Sequence, residues 1–363
     1  MSEASGKQLP LISIIVPVYN VSEYLRQALD SCLNQSFQNF EIICIDDCST
    51  DGSLEILKDY AQKDSRIKVL ELKENHGQGY ARNYALYNAA CGEYIMFLDP
   101  DDWYEPYAFE TAYNQIEKNN NDFLIFGYKI FDEATGEVSM NTKYLEPFTD
   151  VIDKPDIKLY ELNKSFIIAV YMWAMIYKKD FLIKNNIKCS EDIRIGEDIE
   201  FYIRAVVNSD SVSVVDKPMY NYRIKRKSLS VDNLYSDVIK ARRRAYNIIL
   251  NASNDYMADF IPYYINAHLY WYKTRLKSDN VLMHNFYNEM RKDFIKLRKN
   301  YDIESLKEYI DYKNFIYVCK NNWAKRQLKM FIQSLFNVRN SKNKTHKEIT
   351  ICGFKIKLKL NKT

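Results

Sequence analysis

Short apolar runs rich in β-branched residues recur along the N-terminal part of the chain. Each is followed by a polar exit and then by apolar residues at helical spacing. Ile12–Val18, Glu41–Ile45, Ile67–Leu72 and Tyr94–Leu98 are too short for helices and read as buried strands. Between them Tyr24, Leu25, Ala28, Leu29, Cys32 and Leu33 line one face of a helix with Ser22 as its N-cap, and Leu54, Leu57, Tyr60 and Ala61 line a second. A third helix, carrying Arg82 and Asn83, follows the turn Asn75-His76-Gly77-Gln78-Gly79. Strands alternating with helices predict right-handed β-α-β units and a Rossmann-like, mostly parallel α/β sheet with helices on both faces.

Further along, Pro106 suits the first turn of a helix running to about Lys118, and Asp122–Phe131 returns as a strand. Periodicity fades from Asp132 to Asn163, which reads as an excursion over the sheet edge. Trp173–Tyr177 and Ser211–Val215 are further strands, with helices over Lys179–Asn186 and Gly196–Val207. Helical periodicity with many Tyr and Phe returns from Asp237 to Phe336, and the chain closes on Ile349–Leu360, a two-faced strand of alternating lysines broken at Gly353. The expected organisation is a tail over 1–10, an α/β domain over 11–235, a helical region over 236–340 and a basic β tail over 341–363.

In parallel sheets ligands bind at the carboxyl ends of the strands, where Asn20, Asp47, Gly77 and Asp101 all fall. The fourth strand carries the most concentrated chemistry. Asp99, Asp101 and Asp102 leave it around Pro100, and unpaired carboxylates stay out of a core. Pro100 ends the ladder and lets Asp99 and Asp101 point the same way. Hard oxygen ligands of this kind suit Mg²⁺ or Mn²⁺ with positions left for a substrate's phosphates, although an isolated D-x-D is equally an acidic turn capping a strand. Gly77-Gln78-Gly79-Tyr80-Ala81-Arg82 starts like a dinucleotide fingerprint but has Arg82 at the third glycine and follows the third strand, and no G-K-[S/T] occurs, so NAD and P-loop readings fail.

Composition narrows the setting. The chain of 363 residues is 47% hydrophobic and 27% charged, ordinary for a globular protein of two units. Met1–Pro10 has no apolar centre, and the longest uncharged apolar run, Phe166–Tyr177, has 12 residues. Neither pattern suits a leader or a spanning helix, so the expected place is the cytoplasm or the cytoplasmic face of the inner membrane. Seven scattered cysteines without a C-x-x-C pair indicate reduced thiols and no structural zinc. The net charge of +3 conceals a basic end, with 11 Lys and Arg against the single acid Glu348 from Trp323 to Thr363.

The runs Ser13–Asn20, Asp46-Asp47-Cys48-Ser49-Thr50-Asp51-Gly52, Asn75-His76-Gly77 with Ala81-Arg82-Asn83, Gly92-Glu93-Tyr94 through Asp99-Pro100-Asp101-Asp102, and Gly196-Glu197-Asp198 resemble, in order and spacing, the family 2 inverting nucleotide-sugar glycosyltransferases of GT-A fold. The resemblance covers residues 10–230, and the ending from Glu348 is similar to tails of bacterial surface-polysaccharide transferases. It implies that Pro17, Tyr19 and Asn20 meet the nucleobase and ribose, with Gly77 and Pro100 in the same binding set. Asp47 would accept a base N–H and Arg82 would bridge to phosphate. Asp99 would approach the ribose or the metal, and Asp101 would be the main ligand to Mn²⁺ or Mg²⁺. Asp198 would be the general base beside Glu197, where the residues alone also fit a capped helix N-terminus. The basic stretch Arg223–Lys227 reads either as a lid over the diphosphate or as a solvated loop.

The implied partners are a UDP-sugar donor, a glycan or lipid-linked glycan acceptor, a membrane surface for the basic C-terminus through an interfacial helix from Trp323 to Phe336, and a second copy of the chain, with no nucleic acid. A nucleotide-sugar-binding assembly partner without catalysis is the competing class. A nucleotidyltransferase would need a glycine-rich basic loop where Pro17-Val18-Tyr19-Asn20 stands.

Overall fold

The computed structural model describes residues 9–140, 171–225, 235–252, 280–300, 312–320, 336–340, 346–351 and 354–359, with single positions between these spans. The chain divides after Phe260 into two compact units. The first holds a sheet of nine strands: β1 Ile12–Val18, β2 Phe40–Asp46, β3 Ile67–Glu71, β4 Tyr94–Phe97, β5 Trp103–Tyr104, β6 Phe123–Asp132, β7 Val138–Met140, β8 Met175–Lys178 and β9 Val212–Ile224. Their order is β3-β2-β1-β4-β8-β6-β9-β5, with β7 beside β6. Its helices are α1 Ser22–Leu33, α2 Ser53–Lys63, α3 Gln78–Asn88, α4 Ala108–Asn119, α5 Lys179–Lys184, α6 Glu197–Asn208 and α7 Tyr235–Ala252.

The expected α/β class is the one adopted. The parallel pairing predicted for it holds across β3-β2-β1-β4. Beyond β4 the sheet is mixed, because β8 runs antiparallel to both β4 and β6 while β6 and β9 are parallel. Every residue of β1 and β2 is buried, as the unbroken apolar runs require. Phe97 lies at the centre, with ring centroids 5.4 Å from Phe201 and 6.1 Å from Tyr177. Gly92 precedes β4 because a Cβ there would lie 2.6 Å from the Ser13 backbone N. That close approach lets the Gly92 N–H donate to Ser13 Oγ at 2.8 Å, and Ser13 Oγ donate to Glu41 Oε1 at 2.6 Å.

Three elements differ from expectation. Trp173 lies in a short 3₁₀ turn, Met172–Ala174, and the strand follows at Met175. Trp173 stacks on Tyr220 with centroids 4.3 Å apart, and this packing decides the backbone there. The strand expected to stop at Val215 continues to Ile224. Pro218 is carried through it at a register shift opposite Gly127, the kind of place where a strand tolerates proline. Finally, α7 belongs to the first unit, so the boundary lies after Phe260 and not at 235/236. Asp192 holds α7 by pairing with Arg244 at 2.6 Å and with Lys240, and Asp237 Oδ2 accepts the Arg194 backbone N–H at 2.7 Å.

The second unit includes α8 Asn280–Asn300 and α9 Tyr312–Lys320, with Phe294 and Phe315 in ring contact at 4.8 Å. It also holds an antiparallel sheet of β10 Phe336–Asn340, β11 His346–Ile351 and β12 Phe354–Lys359. In place of the single closing strand expected over Ile349–Leu360, β11 and β12 pair antiparallel, with Ile351 opposite Phe354. The excursion after Met140 and the interfacial segment Trp323–Leu335 lie outside the described residues. Among those described, no helix is long and apolar enough to cross a membrane.

Candidate active site

The exit of β4 meets the N-terminus of α6 through Arg82, and the exits of β1 and β2 are tied to each other. At the first exit Tyr19 is exposed, while Asn20 adopts a left-handed backbone with φ of 51°. Asn20 Oδ1 accepts the Thr50 N–H at 2.8 Å, and its own N–H donates to Ser49 Oγ at 3.1 Å. Asn20 thus ties the first exit to the second, and Pro17 is buried within β1 as its support. Ser22 is the first residue of α1 and not its cap, since its N–H donates to Asp51 Oδ2 of the second loop at 2.9 Å.

The adjacent Asp46 and Asp47 are both buried but differ in what they hold. Asp47 accepts the backbone N–H of His76 at 2.8 Å and of Gly77 at 2.7 Å, one on each carboxylate oxygen. These two bonds fix the turn into α3 and leave each oxygen a further lone pair. Asp46 Oδ2 accepts the Ser49 N–H at 3.1 Å, and its buried Oδ1 has no partner. A buried acceptor left open is costly, and Asp46 Oδ1 is one such acceptor among the described residues.

Arg82 lies at the centre of the charge cluster and is 3% exposed. Its Nη1 donates to Glu197 Oε1 at 2.5 Å and its Nη2 to Asp99 Oδ1 at 2.6 Å. The two neighbouring carboxylates raise its pKa against the cost of burial. Arg82 thereby joins the β4 exit to α6, while its buried Nε has no partner among the described residues. Gly79 makes this possible: a Cβ there would sit 2.3 Å from the Ser190 carbonyl oxygen, so α3 would be forced off the segment leading into α6. Asn83 completes the clamp, donating to the Cys189 carbonyl and accepting its N–H, both at 2.9 Å.

The three β4 carboxylates divide the work. Asp102 is buried, accepting the Arg223 N–H at 2.8 Å and the Tyr220 hydroxyl at 2.9 Å; burial, then Asp101 and Asp99, push its pKa well up. Tyr220 also accepts the Asp99 N–H at 3.1 Å, which sets the start of the acidic loop. Asp99 is raised by burial, with Arg82 opposing. Asp101 Oδ2 pairs with Lys225 Nζ at 2.6 Å. Pro100 is buried between them. Asp99 Oδ2 and Asp101 Oδ1 carry no partner among the described residues. No three His, Cys, Asp or Glu side chains among the described residues form a closed ligand set. Two open carboxylate oxygens suit a hard cation that takes its remaining ligands from phosphate and water, so the residues fit Mn²⁺ or Mg²⁺.

Glu197 and Asp198 open α6 after Gly196, near its positive end. Glu197 is buried on Arg82, whereas Asp198 is half-buried with no side-chain partner. Its carboxyl is pushed up to about 8, first by burial and then by Glu197, with Arg82 opposing. Such a pKa suits a proton acceptor working near neutral pH.

The arrangement is an α/β sheet with an acid-lined exit at β4, of the GT-A kind. The sequence profile of Glycosyl transferase family 2 matches residues 13–181. The chain is 36% identical over 223 residues to glycosyltransferase GlyA of Streptococcus pneumoniae, covering 60% of this chain and 31% of GlyA. It is 30% identical over 243 residues to the uncharacterized glycosyltransferase MJ1057 of Methanocaldococcus jannaschii, covering 65% of this chain and 77% of that protein. A crystal structure of S. aureus TarS in complex with UDP superposes with a TM-score of 0.69 at 23% identity, covering 96% of this chain and 98% of the TarS chain. The same TarS, a poly(ribitol-phosphate) β-N-acetylglucosaminyltransferase, is 29% identical over 270 residues, covering 72% of this chain and 45% of TarS. The chain belongs to glycosyl transferase family 2. It matches under two thirds of the length of GlyA and TarS.

Asp46 and Tyr220 were not singled out for roles by sequence, and Asp102, expected with Asp99 and Asp101 to face water or a cation, is instead buried on the Tyr220 hydroxyl and the Arg223 N–H. Asp46 reads as the end of an apolar strand, and Tyr220 falls beyond a proline that hides the strand's continuation.

Proposed function

We propose that this chain transfers a sugar, with inversion, from a UDP-sugar to a hydroxyl of a glycan or lipid-linked glycan in the building of a bacterial surface polymer. The observation that carries the reading is Asp198, a half-buried carboxyl raised to about 8 beside the Asp99–Arg82–Glu197 cluster. The acceptor oxygen attacks the anomeric carbon while the bond to the diphosphate oxygen breaks on the opposite face. The acceptor's proton passes to Asp198, and UDP leaves with the bonding pair. A single displacement inverts the centre and needs no covalent sugar-enzyme intermediate. Asp101 and Asp99 would hold Mn²⁺ or Mg²⁺, whose charge offsets that growing on the departing diphosphate. Asp46 Oδ1 would accept the base N–H, with Tyr19 offering its exposed ring to the base.

The donor class is supported by the UDP complex of TarS, which has this fold. The polymer setting is supported by the substrate named for TarS. Tyr171, 38% exposed and stacked on Trp173 at 4.9 Å, offers an aromatic face for an acceptor sugar. The basic C-terminal stretch would rest the enzyme on an anionic cytoplasmic leaflet, at up to about 1 kcal/mol per basic residue near the surface.

Asp198→Asn tests the reading. It should bind UDP normally and transfer about 10²- to 10⁴-fold more slowly. A variant keeping more than about a tenth of the rate would move the base elsewhere. A non-catalytic binder would release no UDP from any UDP-sugar and would have no use for a base-strength carboxyl at this position.

A further inference from the structure

Lys225 lies at the end of β9, one residue past Ile224, yet its side chain is only 19% exposed. Its Nζ is 2.6 Å from Asp101 Oδ2 and 4.1 Å from the centroid of Tyr24, which offers the cation a ring face. Arg223, two residues back, is anchored from several sides. It donates from Nε to the Asp101 carbonyl at 2.9 Å and from its backbone N–H to Asp102, and it stands over the rings of Trp103 and Tyr24 at 4.8 and 4.9 Å. The backbone leading to Lys225 is therefore fixed to the same acidic loop whose carboxylate Lys225 neutralises. This ammonium occupies one of the two oxygens of Asp101, the carboxylate best placed to hold a divalent cation.

We propose that Lys225 is the resident countercharge of Asp101 and passes to the donor's diphosphate when a divalent cation takes the carboxylate, so that cation and nucleotide bind synergistically. The proposal rests on the reading of this site as one for a UDP-sugar and a metal. Without nucleotide, a cation on the open Oδ1 of Asp101 shares that carboxylate with the mostly buried Lys225 ammonium on Oδ2, and the repulsion between the two cations weakens its binding. A diphosphate supplies that ammonium with a new anionic partner and the cation with oxygen ligands, so that repulsion is relieved. Lys225 is thus a positioning residue that sets the order of assembly.

The test measures Mn²⁺ binding to the full chain by the electron paramagnetic resonance signal of the free ion, with and without UDP. Lys225→Met keeps the aliphatic stem on Tyr24 and should tighten Mn²⁺ binding without nucleotide by roughly tenfold, on the scale of close charge-pair couplings. It should also lose most of the enhancement that UDP gives the wild type. Lys225→Arg should behave as wild type, and Lys225→Gln stands in should the Met variant fold poorly by thermal melt. Mn²⁺ binding by the neutral variants that is no tighter than wild type without UDP, or a UDP enhancement that is undiminished, overturns the proposal. Calorimetry of UDP in saturating Mg²⁺ runs alongside: absence of UDP binding by wild type there would overturn the donor reading, while the nucleotide-free arm still decides the role of Lys225.

Discussion

Glu197→Gln should make the enzyme faster at neutral pH. Glu197 is the largest electrostatic contribution, after burial itself, to the raised pKa of Asp198, which stands at about 8. The glutamine removes one negative charge and keeps an oxygen where Arg82 Nη1 now donates. At an effective dielectric constant of about 20 and a separation of roughly 6 to 8 Å, one charge is worth about 2 to 3 kcal/mol, or roughly 1.5 to 2 pH units. Arg82, freed of one counter-charge, pulls the same way. The base must be deprotonated to act, so the rate rises with pH through the pKa of Asp198. At pH 7 a carboxyl of pKa about 8 is only about a tenth ionised, whereas one at roughly 6 to 6.5 is more than about three quarters ionised. The assay is the pH dependence of transfer with donor and acceptor both far below saturation, so that the profile reports the free enzyme. Wild type should reach half its plateau near pH 8, and the variant roughly 1.5 to 2 units lower, giving about an eightfold gain at pH 7 for an unchanged plateau. A midpoint that stays in place or moves up would refute the coupling of Glu197 to Asp198.

Asp46→Asn replaces the open acceptor by a group that can present an N–H, so UDP affinity should fall about tenfold or more while the melting temperature holds; calorimetry with UDP and CDP reads this, and an unchanged preference for UDP would return the base to Asp47. Asp101→Ala should abolish Mn²⁺-enhanced UDP binding without unfolding, because its side chain is at the strand exit and outside the core. Full-length protein should co-sediment with anionic vesicles in a salt-sensitive manner and a chain ending near Asn322 should not; equal binding by both would remove the tail from that role.

The sequence was legible where one physical demand acted alone. The buried strands β1, β2 and β4 are apolar but for Ser13, Glu41 and Asp46, and their exits are polar, so both could be read directly. The site became illegible where two demands met in one residue. Asp46 is at once a strand residue and a site residue, and its neighbour Asp47 looks identical until the backbone N–H groups of His76 and Gly77 are in place. Arg82 has the side chain of a phosphate ligand, but its surroundings are two carboxylates from distant segments, Asp99 and Glu197. Nothing in local spacing reports that. The run Asp216-Lys217-Pro218 has the composition of a loop, and only pairing with β6 across two register shifts keeps it in the sheet.

Those shifts carry a consequence for how the family can vary. Between the pairs Phe126↔Val215 and Tyr128↔Tyr220, β6 advances by two residues and β9 by five. The excess is odd, and in a pleated strand an odd excess exchanges the two faces. Tyr220 and Tyr222 therefore reach Trp173, and Arg223 the acidic loop, by a parity set at Pro218. Deleting one residue from 216–219 would leave a strand able to pair but with every later side chain turned over. Deleting two would preserve the phase. Length changes in this short stretch should therefore be inherited in even steps, while the surface turns around it remain free to drift one residue at a time.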